Sequence, residues 1–266
     1  MSKHRLKIIL WFIARPSLYK QFVREIISFT KRKEHPSQSF SEESLLWCEK
    51  NAFDEKNALL QINPNWKFLD FNKEFPELVK DGFDIIKHFD FNWGGQGNIS
   101  LNYSLAKYLK AEKILETGVA YGWSSMSLLF FLDSVKLGSL ISVDMPFWGT
   151  QHEKQIGCVV PENLRKRWML YRLPDRDAIP KIIKLNSSFD LCHYDSDKSY
   201  EGKMWALPKL WGAIKTGGIL VCDDVNDNLA FKHFCESEKI HPVIVKTFDS
   251  QVQKYVGIAV KIIPRK

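Results

Sequence analysis

From Lys113 onward, short apolar runs alternate with longer stretches in which apolar and polar residues mix. The short runs predict buried strands, and the longer stretches predict helices, among them residues 124–135 and 200–214. Strands that alternate with helices are typical of a doubly wound α/β fold with a mostly parallel sheet. The last two apolar runs, residues 242–248 and 255–263, are separated by a short loop and predict a closing antiparallel pair at the sheet edge.

The first of these runs leads into a turn that contains two glycines. Residues 113–125 read KILETGVAYGWSS. This pattern predicts a strand that ends near the carboxylate of Glu116, a turn with Gly118 and Gly122, and a helix opened by two serines. Glycine permits a positive φ angle and a close approach between the backbone and a ligand. The turn would place backbone N–H groups and one carboxylate around a single point. A glycine pair at this spacing is also typical of any tight strand–helix turn, so the interpretation depends on the segments that follow.

Three further apolar runs end in acidic residues. Asp144 follows one run and Asp195 follows another, while Asp223 and Asp224 lie side by side after a third. The carboxyl ends of parallel strands meet at one edge of an open α/β sheet, where ligands bind, so these side chains are expected to share a site. An acid at the end of the second strand suits the two hydroxyls of a ribose.

Taken in order, these segments resemble those of class I S-adenosylmethionine-dependent methyltransferases. Within that class they are similar to the metal-dependent O-methyltransferases of the catechol and caffeoyl-CoA types, and to a broader bacterial group that methylates small molecules and sugars. The resemblance covers residues 96–260 and implies a Rossmann-like sheet of seven strands. It also implies transfer of a methyl group from S-adenosylmethionine to a hydroxyl of a small molecule or a saccharide. The motifs that carry it are LETGVAYGWS (115–124), VDM (143–145), DAIP (177–180), DSDKSY (195–200) and GG (217–218) before Asp223 and Asp224.

The resemblance implies cofactor contacts for several of these residues. Gly118 and Gly122 let the backbone approach the methionine part of the cofactor, and Glu116 holds its amino group. Asp144 accepts hydrogen bonds from the ribose hydroxyls, and Asp175 contacts the adenine. The full set of cofactor-binding candidates is Glu116, Gly118, Gly122, Ser124, Asp144, Met145, Asp175 and Asp195.

Asp195, Asp223 and Asp224 form the predicted metal site. Three carboxylates at neighbouring strand ends repel one another, and burial raises their pKa values. A hard divalent cation would remove that cost, and an all-oxygen ligand set suits magnesium, calcium or manganese, of which magnesium is the expected ion. In the family, such a metal binds two neighbouring oxygens of the substrate and lowers the pKa of one hydroxyl. The family usually has Asp-Asn where this chain has Asp223 and Asp224, so the extra charge leaves the third ligand open.

Lys198, three residues after Asp195, matches the position of the general-base lysine of the catechol-type enzymes. The wider bacterial group often carries histidine there, so the lysine favours the catechol-type arrangement. A lysine in a partly dry site can have the lowered pKa that this role requires. Without the resemblance, Lys198 is equally a solvated loop charge, and the later acid pair is the cap of a turn. His193 is interpreted as a strand residue rather than a ligand.

Two other functions are open from the sequence. A dinucleotide-dependent oxidoreductase has a similar sheet, but its G-x-G-x-x-G spacing is absent from the glycine turn. The second is a non-catalytic cofactor-binding or membrane-associated scaffold, and the presence of the acids and the lysine argues against it. Acceptor recognition is expected from a cap and from the loops over residues 147–167 and 226–231. Side chains that either contact a ligand or belong to the core are Trp123, Met145, Phe147, Trp148 and Trp168.

The net charge of +7 is concentrated at the N-terminus. Residues 1–36 hold nine Lys or Arg and two Asp or Glu, whereas the remainder holds 29 of each sign. A neutral catalytic region argues against a nucleic-acid substrate, which needs a broadly basic face. After Pro16, apolar residues recur every three or four positions among basic ones, which predicts a basic amphipathic helix. This helix is expected to lie on an anionic membrane surface, to pack on the catalytic domain, or to mediate a homodimer.

The chain is predicted to divide into a basic arm and linker over residues 1–38, a small helical cap over residues 39–95, and a methyltransferase domain over residues 96–266. A short helix is predicted over residues 41–48. The glycine-rich loop over residues 94–97 either closes over a ligand or only connects the cap to the domain.

The compartment is predicted from the N-terminal segment and from the cysteines. The apolar run over residues 6–13 is far shorter than the roughly 20 residues that span a bilayer, and no small-residue cleavage site follows it. The five cysteines include no C-x-x-C pair, and Cys192 and Cys222 lie in predicted buried strands, which predicts reduced thiols. The expected location is the cytoplasm, with peripheral contact at the inner face of the membrane through the arm.

Overall fold

The computed structural model describes residues 3–31, 37–146, 152–249 and 252–262. These residues form one sheet of eight β-strands together with eleven α-helices. The strands are β1 (Ala52–Phe53), β2 (Lys113–Thr117), β3 (Ser139–Val143), β4 (Trp168–Tyr171), β5 (Phe189–Tyr194), β6 (Ile214–Cys222), β7 (Val243–Asp249) and β8 (Val252–Val260). The helices are α1 (Lys3–Ile13), α2 (Tyr19–Lys31), α3 (Ser37–Asn51), α4 (Glu55–Ile62), α5 (Phe71–Glu74), α6 (Pro76–Ile86), α7 (Ile99–Leu109), α8 (Trp123–Ser134), α9 (Asp175–Leu185), α10 (Tyr200–Ala213) and α11 (Ala230–Ser237).

The sheet has the order β1-β7-β8-β6-β5-β2-β3-β4. Within it β8 runs antiparallel to both of its neighbours, and the other pairs are parallel. The predicted mostly parallel, doubly wound sheet is therefore confirmed, as is the antiparallel pairing of the last two strands. The number of strands differs from the expected seven, because β1 pairs with β7 and places Ala52 opposite Ile244. A strand of two residues is too short to produce a recognisable apolar run, and it displaces β7 from the edge of the sheet.

Helices cover both faces of the sheet, which explains why its central strands are almost entirely buried. All six residues of β5 are buried. In β2, Ile114 belongs to the core cluster on one face and Leu115 to the cluster on the other, as the alternation of side chains along a strand requires. Helices α4, α7 and α8 contribute to the first cluster, and α9, α10 and α11 contribute to the second. Strands covered in this way are typical of parallel sheets.

Helix boundaries follow local signals where these exist. Helix α10 begins after Ser199, whose Oγ accepts a hydrogen bond from the N–H of Gly202 at 3.0 Å, as an N-cap should. Helix α3 is longer than the predicted residues 41–48, and it buries Ser44 and Cys48 within that range. Its first residues belong to the segment predicted as linker. The domain divisions at residues 38 and 95 remain predictions.

The N-terminal arm, residues 3–31, folds as two helices that pack on each other and on the rest of the chain. Trp11, Phe12 and Leu18 form a small buried cluster between α1 and α2. Nη2 of Arg24 lies 3.0 Å from Oδ1 of Asp177, near the start of α9. Packing on the catalytic region was one of the three expectations for the arm. None of the helices within the described ranges is long and apolar enough to cross a bilayer.

Candidate active site

A large cleft with a volume of about 2360 Å³ opens at the C-terminal edge of the parallel strands. Its floor consists of the turn after β2 and of residues that follow β3, β5 and β6, and its rim includes α1, α2 and the loop over residues 94–97. The N–H of Gly95 donates to Oδ2 of Asp249 at 3.3 Å, which ties this loop to the end of β7. The cleft is therefore lined by the edge of the sheet where ligands are predicted to bind, by the arm and by the glycine-rich loop.

Gly118 and Gly122 have the positive φ angles that the predicted turn requires, 82° and 92°. A Cβ atom at Gly118 would lie 1.9 Å from the carbonyl oxygen of Asp195, and one at Gly122 would lie 2.8 Å from Cα of Gly157. Gly118 lines the cleft, whereas Gly122 lies behind it at the start of α8. Both glycines are therefore needed for contacts within the backbone itself, in addition to any approach by a ligand.

Asp144 lies at the end of β3 and lines the cleft, where the sequence predicted it. Its Oδ2 accepts hydrogen bonds from the backbone N–H groups of Val119 and Ala120 at 2.8 and 3.0 Å. Its Oδ1 accepts one from Nη1 of Arg172 at 2.5 Å, and Arg172 also bonds Glu153. The carboxylate thus couples the glycine turn to the segment after β4.

Glu116 differs from the expectation that it holds the amino group of a cofactor. Its carboxylate has no exposed surface. The oxygens accept hydrogen bonds from the hydroxyls of Ser124 at 2.6 Å, Ser125 at 2.5 Å and Ser142 at 2.7 Å. With both oxygens occupied inside the protein, Glu116 positions the start of α8 against β3 rather than facing the cleft.

The remaining cofactor candidates lie on the cleft wall. Ser124, Met145 and Asp175 all line it. The hydroxyl of Ser196 donates to Oδ2 of Asp175. Burial raises the pKa of Asp175 to about 6, and the negative charges of Asp197 and Asp144 raise it as well. These three positions agree with where the sequence placed them, and their contacts with a cofactor remain predictions.

The aromatic candidates belong mainly to the core. Trp123 is 3% exposed, and its ring packs on Phe83 with centroids 4.9 Å apart. Trp168 lies in β4, where its Nε1 donates to Oγ of Ser142 at 2.8 Å. The other two aromatic candidates lie outside the described residues: Phe147 and Trp148.

Asp195 and Asp223 line the cleft, while Asp224 is buried behind it. Oδ2 of Asp224 accepts a hydrogen bond from Nζ of Lys198, and its Oδ1 lies 3.5 Å from Nζ of Lys254. Burial raises the pKa of Asp224, but the hydrogen bond from Lys198 and the charges of the lysines outweigh it and lower this pKa below its usual value. For Asp195, burial and the charge of Asp223 raise the pKa.

His193 joins two of the buried carboxylates from the end of β5. Its Nε2 lies 3.4 Å from Oδ1 of Asp223, and its Nδ1 lies 3.7 Å from Oε1 of Glu116. Burial lowers the pKa of His193, but Asp223 and Glu116 outweigh this effect and raise it to about 10. Asp223 also accepts bonds from Nδ2 of Asn98 at 3.1 and 3.0 Å. His193 is a strand residue, as interpreted from the sequence, and it lines the cleft between these two carboxylates.

The predicted metal site at Asp195, Asp223 and Asp224 does not fit this arrangement. Lys198 and Lys254 lie against the two oxygens of Asp224, and the side-chain amide of Asn98 donates to both oxygens of Asp223. Among the described residues, no group of three His, Cys, Asp or Glu side chains has the spacing to hold a metal ion. The physical reason lies at Asp224, the position where the catechol-type enzymes have Asn. Its additional negative charge attracts lysines, which compete with a cation for the same oxygens.

Lys198 lies in the cleft as predicted, but its surroundings do not favour a general base. Its Nζ bonds Asp224 and lies 3.9 Å from Oδ1 of Asp195. Burial lowers the pKa of Lys198, but these two carboxylates outweigh it and raise the pKa above its ordinary value. Lys198 is therefore an ammonium at neutral pH. It can donate a hydrogen bond and stabilise negative charge, but it has no free lone pair to accept a proton.

Several polar residues that hold the site had no clear sequence motif. Lys203 in α10 is 1% exposed, and its Nζ donates to the carbonyls of Asp223 and Asp224 at 3.2 and 2.5 Å. The sequence offered one indication of this role, a charged residue at a position of the helix where the pattern predicts an apolar one. His193 similarly stood alone in an apolar strand. The other residues missed were Asn98, Arg172 and Lys254.

Comparisons with known proteins agree with this geometry. Residues 115–225 match a family model described as a methyltransferase domain. No curated protein matches the chain in sequence. An O-methyltransferase from Bacillus cereus, solved in complex with SAH, has 14% identity and a TM-score of 0.57, and the match covers 72% of this chain and 95% of that one. The O-methyltransferase TomG from Streptomyces achromogenes, involved in tomaymycin synthesis and solved with SAM, has 16% identity and a TM-score of 0.56, with 70% and 90% covered.

The matched segment contains the structural parts that form the cleft floor. It runs from β2 to the end of β6 and includes the glycine turn, Asp144, Asp195 and Asp223. The two solved structures share this fold over most of their own length. Residues 115–225 are thus similar to a methyltransferase domain, and the chain has the Rossmann-like fold of the solved O-methyltransferases.

Proposed function

We propose that the chain is an S-adenosylmethionine-dependent O-methyltransferase that acts on a hydroxyl of a small molecule or a saccharide. One observation carries the proposal: the glycine turn, Asp144 and the acidic edge with Asp195 and Asp223 lie in one cleft. The fold supports it, because similar solved structures are O-methyltransferases in complex with SAM or SAH.

In this proposal the cofactor lies along the glycine turn. Gly118 would leave room beside its methionine part, and Oδ1 of Asp144 keeps a second lone pair that would accept a hydrogen bond from a ribose hydroxyl. Arg172 and the turn N–H groups hold the Asp144 carboxylate in place, so this contact would be preorganised. Asp175 lies on the wall where the adenine would be bound.

The acceptor would react beside Lys198. Its oxygen attacks the methyl carbon, the bond from that carbon to the sulfonium sulfur breaks, and the sulfur leaves as a neutral thioether. The Lys198 ammonium would stabilise the negative charge that develops on the oxygen. The hydroxyl proton would pass to the carboxylate of Asp195, which lies 3.9 Å from Lys198 Nζ. Positioning of the two reactants supplies much of the remaining acceleration, because the sulfonium is already activated.

The first test is calorimetric titration of the purified chain with S-adenosylmethionine and, in a separate run, with NAD. We expect binding of the methyl donor in the micromolar range and no binding of NAD. Binding of NAD alone would favour the oxidoreductase alternative. Absence of binding to either molecule would favour the non-catalytic scaffold.

The second test measures transfer of a radiolabelled methyl group to a panel of sugars and phenols with neighbouring hydroxyls. Lys198→Ala is expected to lower kcat about 100-fold, with little change in the Kd for the methyl donor. Lys198→Arg keeps the positive charge and is expected to retain at least about one tenth of the activity. An equal loss in both variants would argue against charge stabilisation and return the lysine to the role of general base.

The same assay tests the sequence-based expectation of magnesium. With Asp224 bound to Lys198 and Lys254, we expect the same rate in EDTA and in added magnesium. A rate that requires magnesium and survives in Asp224→Asn would overturn this interpretation. It would show that the carboxylates rearrange around a cation, as in the enzymes with Asn at that position.

A further inference from the structure

The arm exposes large apolar side chains on both of its helices. On α1, Leu10 and Ile13 are 55% and 56% exposed. On α2, Tyr19, Val23 and Ile26 are 45%, 54% and 51% exposed. Positions 19, 23 and 26 have the spacing of residues that share one side of a helix. The inner side of the same helices is occupied by the buried cluster around Phe12. We call the five exposed side chains the apolar face of the arm.

Positive charge is concentrated in the part of the sequence that contains this face. Lys20 is exposed on α2, next to Tyr19. The first 36 residues carry nine Lys or Arg against two Asp or Glu, while the rest of the chain has 29 of each sign. An apolar face beside a basic one is the combination that lets a helix lie in the interface of an anionic bilayer.

We propose that the apolar face of the arm binds the surface of an anionic membrane. The charge distribution favours this occupant over a second copy of the chain. Two arms of equal positive charge would repel each other if they met through these faces, whereas anionic headgroups attract both. The neutral remainder of the chain offers no comparable acidic surplus that would attract the arm of another copy.

Membrane binding would also orient the cleft. Ile8, Phe22 and Ile26 of the arm line its rim, and Arg24 connects the arm to Asp177. A bilayer against Val23 and Leu10 would therefore lie next to the cleft mouth. An acceptor held at the lipid surface would enter without crossing bulk water. This proposal stands independently of the methyl-transfer reaction, because its test measures binding to lipid alone.

The test is sedimentation of the full chain with vesicles of phosphatidylcholine, with and without phosphatidylglycerol. Leu10→Glu/Val23→Glu introduces charge into the apolar face. Val135→Glu/Leu137→Glu is the matched control, because it changes the same residue types at exposures of 49% and 51% at the opposite edge of the sheet. Circular dichroism and thermal melting establish that each variant is folded.

We expect the intact chain to sediment with the anionic vesicles, to be released by raised salt, and to bind the neutral vesicles at least about tenfold more weakly. The arm variant should bind anionic vesicles at least about tenfold more weakly than the control variant. An intact chain that stays in the supernatant overturns the proposal. So does an equal loss in both variants. If light scattering shows a dimer that the arm variant alone loses, and no vesicle binding is found, the face mediates self-association instead. Should the arm variant fail to fold, the lipid and salt dependence of the intact chain decides.

Discussion

Gly118→Ala tests why a glycine lies at the turn, because the chain provides a matched control. Gly118 and Gly217 have φ angles of 82° and 83°. A Cβ at Gly217 would meet nothing within 4 Å, whereas a Cβ at Gly118 would meet the Asp195 carbonyl oxygen at 1.9 Å. Alanine at either position therefore introduces the same backbone strain, and only at Gly118 does it also introduce a clash.

The two contributions can be assigned rough magnitudes. A left-handed backbone costs an alanine about 1–2 kcal/mol, which is the full expected effect of Gly217→Ala. At Gly118 the segment that carries the Asp195 carbonyl must also move away by more than about 1 Å to relieve the clash. Overpacking of this kind in a core costs about 1–3 kcal/mol more. Such a shift would break the bond from the Asp195 N–H to the Thr117 carbonyl, now 2.9 Å long, which adds about 1 kcal/mol. Gly118→Ala is thus expected to lose about 3–6 kcal/mol.

Urea denaturation of both variants measures these losses, and calorimetry measures their affinity for S-adenosylmethionine. In thermal melts we expect a Tm drop of about 6–12 °C for Gly118→Ala against about 2–4 °C for Gly217→Ala. The affinity should fall at least about tenfold in the first variant only, because the turn moves with the strand. If the two variants lose the same stability within about 0.5 kcal/mol, the backbone clash is not what requires glycine at position 118.

Two further predictions concern buried charges. Burial and the nearby Asp70 raise the pKa of Glu55 from its usual 4.5 to about 7. The folded state therefore binds the carboxyl proton of Glu55 more tightly than the unfolded state does, and the stability of the fold decreases as the pH rises from about 4.5 to 7. In thermal melts, Glu55→Gln should therefore stabilise the fold by about 1–3 kcal/mol near pH 8 and leave its stability unchanged near pH 4. An equal effect at both pH values would show that the protonation of Glu55 does not cause the change. Arg172→Ala removes the charged partner of Asp144 and should weaken S-adenosylmethionine binding about tenfold by calorimetry, with Arg172→Lys in between. An unchanged affinity would show that the turn N–H groups alone position the carboxylate.

The parts of the fold that local patterns specify could be predicted from the sequence. Apolar runs in a doubly covered sheet are continuous, so the central strands were recognisable, and the acids that end β3, β5 and β6 lie at one edge, as the parallel topology requires. The conformation of Gly118 was predictable for a similar reason, since the turn between strand and helix requires a positive φ.

The contacts between side chains were not predictable in the same way. Glu116 binds three serines, one of which, Ser142, lies on another strand, and no spacing indicates this pairing. The charge state of Lys198 depends on Asp224, whose backbone has a positive φ of 51° and whose oxygens face two lysines. Roles that depend on pKa values are set by such tertiary neighbours, and a motif that fixes residue identity leaves them undetermined.

The position of β1 in the sheet has a consequence for how the chain folds during synthesis. Ala52 pairs with Ile244, and helices α3 and α4 pack on the same strand β7. These contacts join segments far apart in sequence, and such contacts form late because a long loop must close first. A nascent chain must therefore emerge from the ribosome through β7 before its cap can dock. Until then α3 and α4 expose the apolar surface that the completed sheet will cover, and in this interval a growing chain depends most on chaperones.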